Sequence, residues 1–589
     1  MKSFFGRVLS TIIGNIVTLS LISGLLFIVL IFASLESTTA KVENKSIIEI
    51  NLSKPILESS MDNEVSLFSL EENDKFYLQD ILETIKHAKD DENIEGISLK
   101  IENFNGGLTQ ANDIRNALKD FKESGKFIYA YTNNANQISY YINSVADKIY
   151  QNPLGGVLLQ GMSSEVMFFK NAGDKYGVDF QVIRYGDFKS AVEPFFRTDL
   201  SEDNKLQLNV LLGDLWKNMS TDMALSRKIK PNDFQIITDS LYSYIPEIGL
   251  KYKIYDKIIH EAEYEDILFK KLNLEEKKSK TKDQILTKHT ISLKNYASTI
   301  TKETNENKIA ILNASGEITE GDGFDGIQSK TYVQAIRKIA ENKNIKALVL
   351  RVNSPGGSAN ASEEILFEIS RLKKRIPVVV SFGDVAASGG YYIAQDSDRI
   401  FAQPNTITGS IGVFGMIPNA KQLINNIGIT TDHVQTNTNA NQLKGIFNPL
   451  STDAERLMQR SVVLVYEKFV DHVAKNRKMT FEQVNKIGGG RVWSGTSAKQ
   501  IGLIDEFGNL NDAISYAAKL AEIDKYSTES FPKRKESFEE ILEKIQGGNI
   551  SEKIKQELGT EAAKVYQSLK TMNRQKGVQA RLPFDINFN

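Results

Sequence analysis

The chain contains no cysteine, which excludes disulfides, thiolate nucleophiles and cysteine-bound metals. A chain of this length needs no covalent staples, so the absence leaves its compartment open. Histidine is scarce: His87, His260, His289, His433 and His472 are the only five. None lies in a motif with a candidate serine, although triad members meet in space rather than along the chain. No metal and no cofactor are expected. Neither charge dominates, since 72 basic and 74 acidic residues give a net charge of −2. No dense basic stripe is present, and nucleic acid is excluded as a partner on that ground. Charge itself is missing from the 28 residues between Val8 and Leu35, where about 20 apolar residues suffice to cross a bilayer. A cleaved leader would have an apolar region of about 7 to 15 residues and a small-x-small site. Only Thr38-Thr39-Ala40 comes near such a site. Residues 8–35 are therefore expected to be a single transmembrane anchor after a short cytoplasmic tail, 1–7. The bulk of the chain is expected on the extracytoplasmic (periplasmic) side of the inner membrane, because Lys2 and Arg7 sit on that very short tail and a translocated domain is little affected by its own charges.

What is present is a duplication. Ile101-Glu102-Asn103-Phe104-Asn105-Gly106-Gly107 answers Arg351-Val352-Asn353-Ser354-Pro355-Gly356-Gly357, and Asp147-Lys148-Ile149-Tyr150-Gln151-Asn152-Pro153 answers Asp398-Arg399-Ile400-Phe401-Ala402-Gln403-Pro404. The spacing is 250 residues at Gly106/Gly356 and 251 at Asp147/Asp398. Two copies of a unit of roughly 220 residues fit a chain too long for one core. Strand-like Ile47–Leu52, Gly96–Ile101 and Phe127–Ala130 recur as Ile309–Asn313, Ala347–Val352 and Val378–Ser381, with helical stretches between them. This alternation predicts an α/β fold of stacked units with mainly parallel strands and active residues on the turns that leave them. The boundaries expected are 46–263 for the first repeat, 264–306 for a charged linker, 307–530 for the second repeat and 531–589 for a helical tail. That tail ends in a segment, Arg581 to Phe588, that alternates as an edge strand would.

The copies differ in chemistry. Ala386-Ala387-Ser388-Gly389-Gly390-Tyr391-Tyr392 in the second faces Ala135-Asn136-Gln137-Ile138-Ser139-Tyr140-Tyr141 in the first, so Gln137 stands opposite Ser388. Small neighbours allow a tight turn that exposes the Ser388 hydroxyl; the plainer alternative is a serine that caps the next helix. Gly356 and Gly357 follow a strand and precede a helix, and their amides, with that of Gly389, could hold a developing oxyanion. Phosphate binding is the alternative use of such amides, but no Gly-Lys-Ser/Thr follows. A serine needs a base. Lys189 lies among aromatic and small residues in Tyr185-Gly186-Asp187-Phe188-Lys189-Ser190-Ala191-Val192-Glu193-Pro194, and Lys444 lies at a comparable point of the second copy. Composition does not choose between them. A lysine with its ordinary pKa is neutral about once in 2,500 molecules at pH 7, so burial of the base is a requirement of the mechanism.

Together, Val352–Ser358, Ala386–Tyr391, Thr408–Gly415 and Val492–Gly495 with Ala498–Asp505 resemble the signal peptide peptidase A family, and Tyr185–Phe196 resembles the lysine segment of its long, tandem-repeat form. The resemblance implies two tandem crotonase/caseinolytic-protease-like repeats of stacked ββα units. It also implies a membrane-anchored Ser-Lys protease that degrades cleaved signal peptides and other apolar unfolded peptides. In the tandem form the serine comes from the second copy and the lysine from the first, which matches Ser388 and Lys189; single-copy members take both from one copy, which keeps Lys444 as runner-up. Ile407, Gly409, Ser410, Ile411 and Val413 would line the substrate pocket, and a homo-oligomer, a tetramer in the family, is implied. Two rival classes remain: an acyl-CoA enzyme on the crotonase fold, and a non-catalytic membrane scaffold.

Overall fold

The computed structural model describes residues 41–58, 75–276, 279–301, 304–443, 446–533 and 578–582, with a few positions between 14 and 23. The expected anchor, 8–35, falls mostly outside the described residues. Among the described residues no helix is long and apolar enough to cross a membrane.

In the first lobe β1 (Ser46–Ile50), β2 (Ile94–Leu99), β3 (Phe127–Ala135), β4 (Lys148–Val157), β6 (Lys257–Ile258) and β7 (Thr290–Ser292) form a sheet in the order β6-β4-β3-β2-β1-β7. Every pairing in it is parallel. β5 (Asp179–Arg184) leaves this sheet. The second lobe repeats the plan with β8 (Lys308–Ser315), β9 (Ile345–Ser354), β11 (Val378–Ala387), β12 (Ile407–Gly409), β14 (Val492–Ser494) and β15 (Ser527–Phe531), in the order β14-β12-β11-β9-β8-β15. Only the β12/β14 pair on that path is antiparallel. Strand sequences such as Ala347-Leu348-Val349-Leu350 are buried along their length, as sheets covered on both faces require.

The helices that frame the site are α1 (Leu108–Lys122), α2 (Gln137–Asn143), α3 (Glu202–Arg227), α4 (Ala359–Lys373), α5 (Gly389–Ala394) and α6 (Thr452–Arg477). The duplication extends to their ends. α3 and α6 each run 26 residues, are N-capped by Ser201 and Ser451, and stop at Lys228 and Lys478 in left-handed conformations with φ of 55° and 56°. Arg227 reaches Asp256 at 2.9 Å and Arg477 reaches Asp505 at 2.7 Å. These carboxylates accept hydrogen bonds from the amides of Ile149 and Ile400. The same device therefore closes both lobes.

A third sheet joins the lobes. β10 (Gly356–Ser358), β13 (Phe414–Asn419) and β16 (Gln579–Arg581) belong to it, and the order runs β10-β16-β13-β5. β5 pairs antiparallel with β13, from Arg184 opposite Phe414 to Asp179 opposite Asn419. A strand of the first lobe thus lies on the second, and Lys189 follows it by five residues.

Two boundaries differ from the sequence reading. The stretch 264–306, expected as a linker, contains helix Lys282–Lys288 and β7, which pairs with β1. Its Leu268, Phe269, Ile285 and Leu286 share a buried cluster with Ile47 and Tyr131 of the first lobe. Its charged residues are the solvent side of an amphipathic segment, which masked the apolar positions. The described parts of the expected helical tail are extended: β15 ends at Phe531 beside β8, and β16 lies between β10 and β13.

Candidate active site

Ser388 sits between β11 and α5 with φ 55° and ψ −115°. A residue with a Cβ pays for such a backbone, at about 1–3 kcal/mol. Two bonds hold it there: its amide donates to the Gly409 carbonyl at 2.8 Å, and its carbonyl accepts from the Tyr392 amide at 2.8 Å. Its side chain makes no cap bond to the helix, so the capping alternative does not describe it.

Lys189 Nζ lies 2.9 Å from Ser388 Oγ, 3.0 Å from Ser410 Oγ and 3.3 Å from the Ser410 carbonyl oxygen. Both Ser388 and Lys189 have 0 % exposure. Desolvation by burial pushes the Lys189 amine well below its ordinary pKa, which favours the neutral form. Lys444 lies outside the described residues.

The lysine is placed by glycines of the second lobe. A Cβ on Gly490 would stand 2.6 Å from the Lys189 backbone nitrogen, Cα and Cβ, so only glycine admits the approach. The Phe188 amide donates to the Gly489 carbonyl at 3.2 Å. From the first lobe, Gln207 Nε2 donates to the Phe188 carbonyl at 3.1 Å and to Ser190 Oγ at 2.9 Å, while its Oε1 accepts from the Val492 amide of β14 at 3.3 Å. Buried Glu193 accepts from Ser201 Oγ and Asn204 Nδ2, which ties the segment to the start of α3.

Of the glycines read as oxyanion donors, Gly356 has φ 96° and uses its amide on Ser354 Oγ at 3.2 Å. A Cβ on Gly356 would come within 2.6 Å of the Gly389 nitrogen. Gly356 thus keeps space open in front of the Gly389 amide, while Gly357 stands on the strand edge facing β16. Among the expected pocket residues, Ser410 touches the lysine, and Gly409 holds the Ser388 amide. Ile411 and Val413 are buried in the second-lobe core. Ile407 belongs to a cluster shared with the first lobe, together with Ala387 and Val492. Sequence reasoning did not assign a role to Ser410 beyond the pocket, nor to Gln207 or to Gly488-Gly489-Gly490. The triple glycine was the visible signal; Gln207 gave none.

Comparison with known proteins follows the same division into copies. Residues 120–275 and 370–524 match the family model described as Peptidase family S49. The chain is 36% identical over 488 residues to Protease 4 of Salmonella typhi, covering 81% of this chain and 77% of that one. It is 36% identical over 459 residues to Protease 4 of Haemophilus influenzae, covering 75% and 72%. It is 31% identical over 463 residues to the chloroplastic serine protease SPPA of Arabidopsis thaliana, covering 77% and 67%.

Proposed function

The chain belongs to peptidase family S49 and is a serine protease, and from that premise we propose that Ser388 and Lys189 act as its catalytic dyad on peptides delivered at a membrane. The observation that carries this reading is the 2.9 Å separation of a fully buried lysine amine from a serine hydroxyl. A neutral amine accepts the Ser388 proton, and the oxygen attacks the substrate carbonyl. The amides of Gly357 and Gly389 hold the oxyanion, a contribution of about 3 to 4 kcal/mol for each donor. The protonated Lys189 then gives its proton to the leaving amine, and water repeats the sequence on the acyl-enzyme. Ser410, bonded to the same Nζ, restrains the amine toward Ser388. Membership of the family sets aside the acyl-CoA and scaffold alternatives.

The substrates fit what an anchored protease meets. With 8–35 in the inner membrane and the lobes on its extracytoplasmic side, apolar remnants of cleaved signal peptides reach the site at high effective concentration. Ile407, Ile411 and Val413, which flank Gly409 and Ser410 in sequence, are the apolar side chains assigned to the substrate pocket, and assembly into a closed oligomer would restrict entry to extended chains. The test is hydrolysis of a fluorogenic leader peptide by the membrane fraction. Lys189→Ala and Ser388→Ala are expected to abolish it and Lys444→Ala to leave it; loss with Lys444→Ala and not with Lys189→Ala contradicts the assignment. Release of the protein by a salt wash without detergent contradicts the anchor.

A further inference from the structure

Lys189 belongs to a loop of the first lobe and Ser388 to the second, so the dyad depends on how the two are held in register. Gln207 follows the Ser201 cap of α3 by six residues, as Leu457 follows the Ser451 cap of α6. Leu457 is 66% exposed, whereas Gln207 is 1% exposed. A carboxamide is thus buried where its twin position faces solvent, and a buried carboxamide needs partners for both its nitrogen and its oxygen. Gln207 has them. Its Nε2 donates to the Phe188 carbonyl at 3.1 Å, to Ser190 Oγ at 2.9 Å and to Asn204 Oδ1 at 3.1 Å, and its Oε1 accepts from the Val492 amide at 3.3 Å. Phe188 and Ser190 flank Lys189 on either side. Val492 lies on β14 opposite Gly409 of β12, and the Gly409 carbonyl accepts from the Ser388 amide. Among the described residues Gln207 is the one side chain that hydrogen-bonds both to the residues flanking the lysine and to the second lobe.

We propose that Gln207 is the positioning residue of the dyad: one carboxamide fixes the backbone on both sides of Lys189 to the strand whose neighbour holds Ser388. The inference rests on the Ser-Lys reading. The position demands a carboxamide. A carboxylate cannot donate to the Phe188 carbonyl, and an apolar side chain leaves that carbonyl and the Val492 amide short of a partner. Either change frees the segment to shift, and a misplacement of about 1 Å costs on the order of 10²-fold in rate. It also admits water to the amine. The charged groups in and against the segment are Asp187 and Glu193 on its own stretch, Arg184 on β5 and Arg491 just before β14. Arg184 donates to the Lys189 carbonyl at 3.5 Å and lies 3.8 Å from Glu193. Arg491 rests against the rings of Phe188 and Trp493, 5.1 and 4.2 Å from their centroids. Among the described residues Nζ bonds hydroxyl and carbonyl oxygens alone, so the exclusion of water, rather than a neighbouring charge, holds the amine below its ordinary pKa.

The experiment is the pH profile of fluorogenic-peptide hydrolysis by the full chain in detergent, with thermal midpoints measured on the same samples. Wild type is compared with Gln207→Met, Gln207→Glu, Ser190→Ala and Asn218→Ala. Asn218 is the control on the same helix: its Nδ2 crosses to Asn405 Oδ1 at 3.0 Å and Thr496 Oγ1 at 3.2 Å without touching the lysine segment. Both Gln207 variants are expected to lower kcat by about 10- to 100-fold with KM within about threefold. They are also expected to move the rising limb of kcat/KM toward 10.5, the ordinary pKa of the amine. Ser190→Ala, which keeps the carboxamide and removes one acceptor, is expected to move the limb the same way by less. Asn218→Ala is expected to lower the thermal midpoint and leave the limb in place. A limb that stays at the wild-type position in Ser190→Ala and in every Gln207 variant that folds overturns the inference and leaves the dyad standing. A limb moved as far by Asn218→Ala overturns it too, because any loosening of the seam would then suffice. Lys189→Ala with the wild-type kcat overturns the dyad and this inference with it.

Discussion

At the position where the second lobe holds Ser388, the first lobe holds Gln137, and the two residues solve opposite problems. Gln137 satisfies itself: its Nε2 donates to the Gly161 carbonyl at 3.0 Å, and its Oε1 accepts from the amides of Gly161 and Gln160 at 2.9 and 3.1 Å. The helix behind it is capped by Asn136, whose side chain accepts from the Ser139 amide. Ser388 instead holds a left-handed backbone, and its hydroxyl meets a lysine from the other lobe. The glycine pairs diverge in the same way. Gly356 clears the space in front of the Gly389 amide, whereas a Cβ on Gly107 would stand 1.8 Å from Asp384 Oδ2. Asp384 accepts from the Thr109 amide at 2.7 Å and Thr109 Oγ1 at 3.0 Å. One copy spends conformational strain to set a hydroxyl against a lysine; the other uses the same turn to bind its twin.

This contrast can be broken in order of effect. Ser388→Ala is expected to lower kcat for peptide hydrolysis by at least about 10⁴-fold, while Gln137→Ala leaves kcat within a few-fold and lowers the thermal midpoint; comparable losses of kcat would erase the asymmetry. Gly356→Ala is expected to reduce kcat by about 10²- to 10³-fold, the cost of closing an oxyanion site. Gly107→Ala, by pushing Asp384 aside, is expected to lower the unfolding midpoint with a smaller change in kcat, and the pair is separated by steady-state kinetics beside calorimetry.

Lys189→Met tests the strain from the side of stability. The folded-state pKa of this amine lies well below its ordinary value of 10.5, so the native state holds fewer protons than the unfolded chain and stability is lost as pH falls below 10.5. The methionine variant is expected to be inactive and to unfold at a higher temperature than wild type, by a margin that grows as pH is lowered. The smallest effect expected is at the seam. Burial pushes the Asp113 carboxyl up to about 8 and Asp384 up to about 6, and both Asp113 oxygens lack hydrogen-bond partners among the described residues. A raised carboxyl pKa costs stability as pH rises from the ordinary value of 3.8 toward the folded one. Asp113→Asn is therefore expected to raise the unfolding midpoint more at pH 7 than at pH 4; an equal shift at both contradicts the buried-acid account.

Much of this was legible in the sequence because it is written in local signals. Alternation and apolar runs marked β1, β2, β3 and their counterparts, and the 250-residue register marked the repeat. Ser388 stood out because a paired copy lacked it. The base was not decided by residue types, since Lys189 and Lys444 share their surroundings at that level; the family resemblance favoured Lys189. What stayed hidden depends on contacts across hundreds of residues. The Gln207 bonds to Val492 and the docking of β7 on β1 leave no periodicity behind; the alternation from Arg581 signalled a terminal strand but not its place between β10 and β13. Charged residues around Ile285 and Leu286 concealed a packed helix because only two of its positions face the core.

The central claim is that an uncharged Lys189, supplied by the first lobe, activates Ser388 of the second. Its most direct measurement is the rate of fluorophosphonate labelling of Ser388 as a function of pH in wild type and Lys189→Met. The account predicts a wild-type rate that rises with pH through a titration well below 10.5, and a methionine variant that labels at least about 10³-fold more slowly with no such titration. Labelling of the variant at the wild-type rate would contradict it.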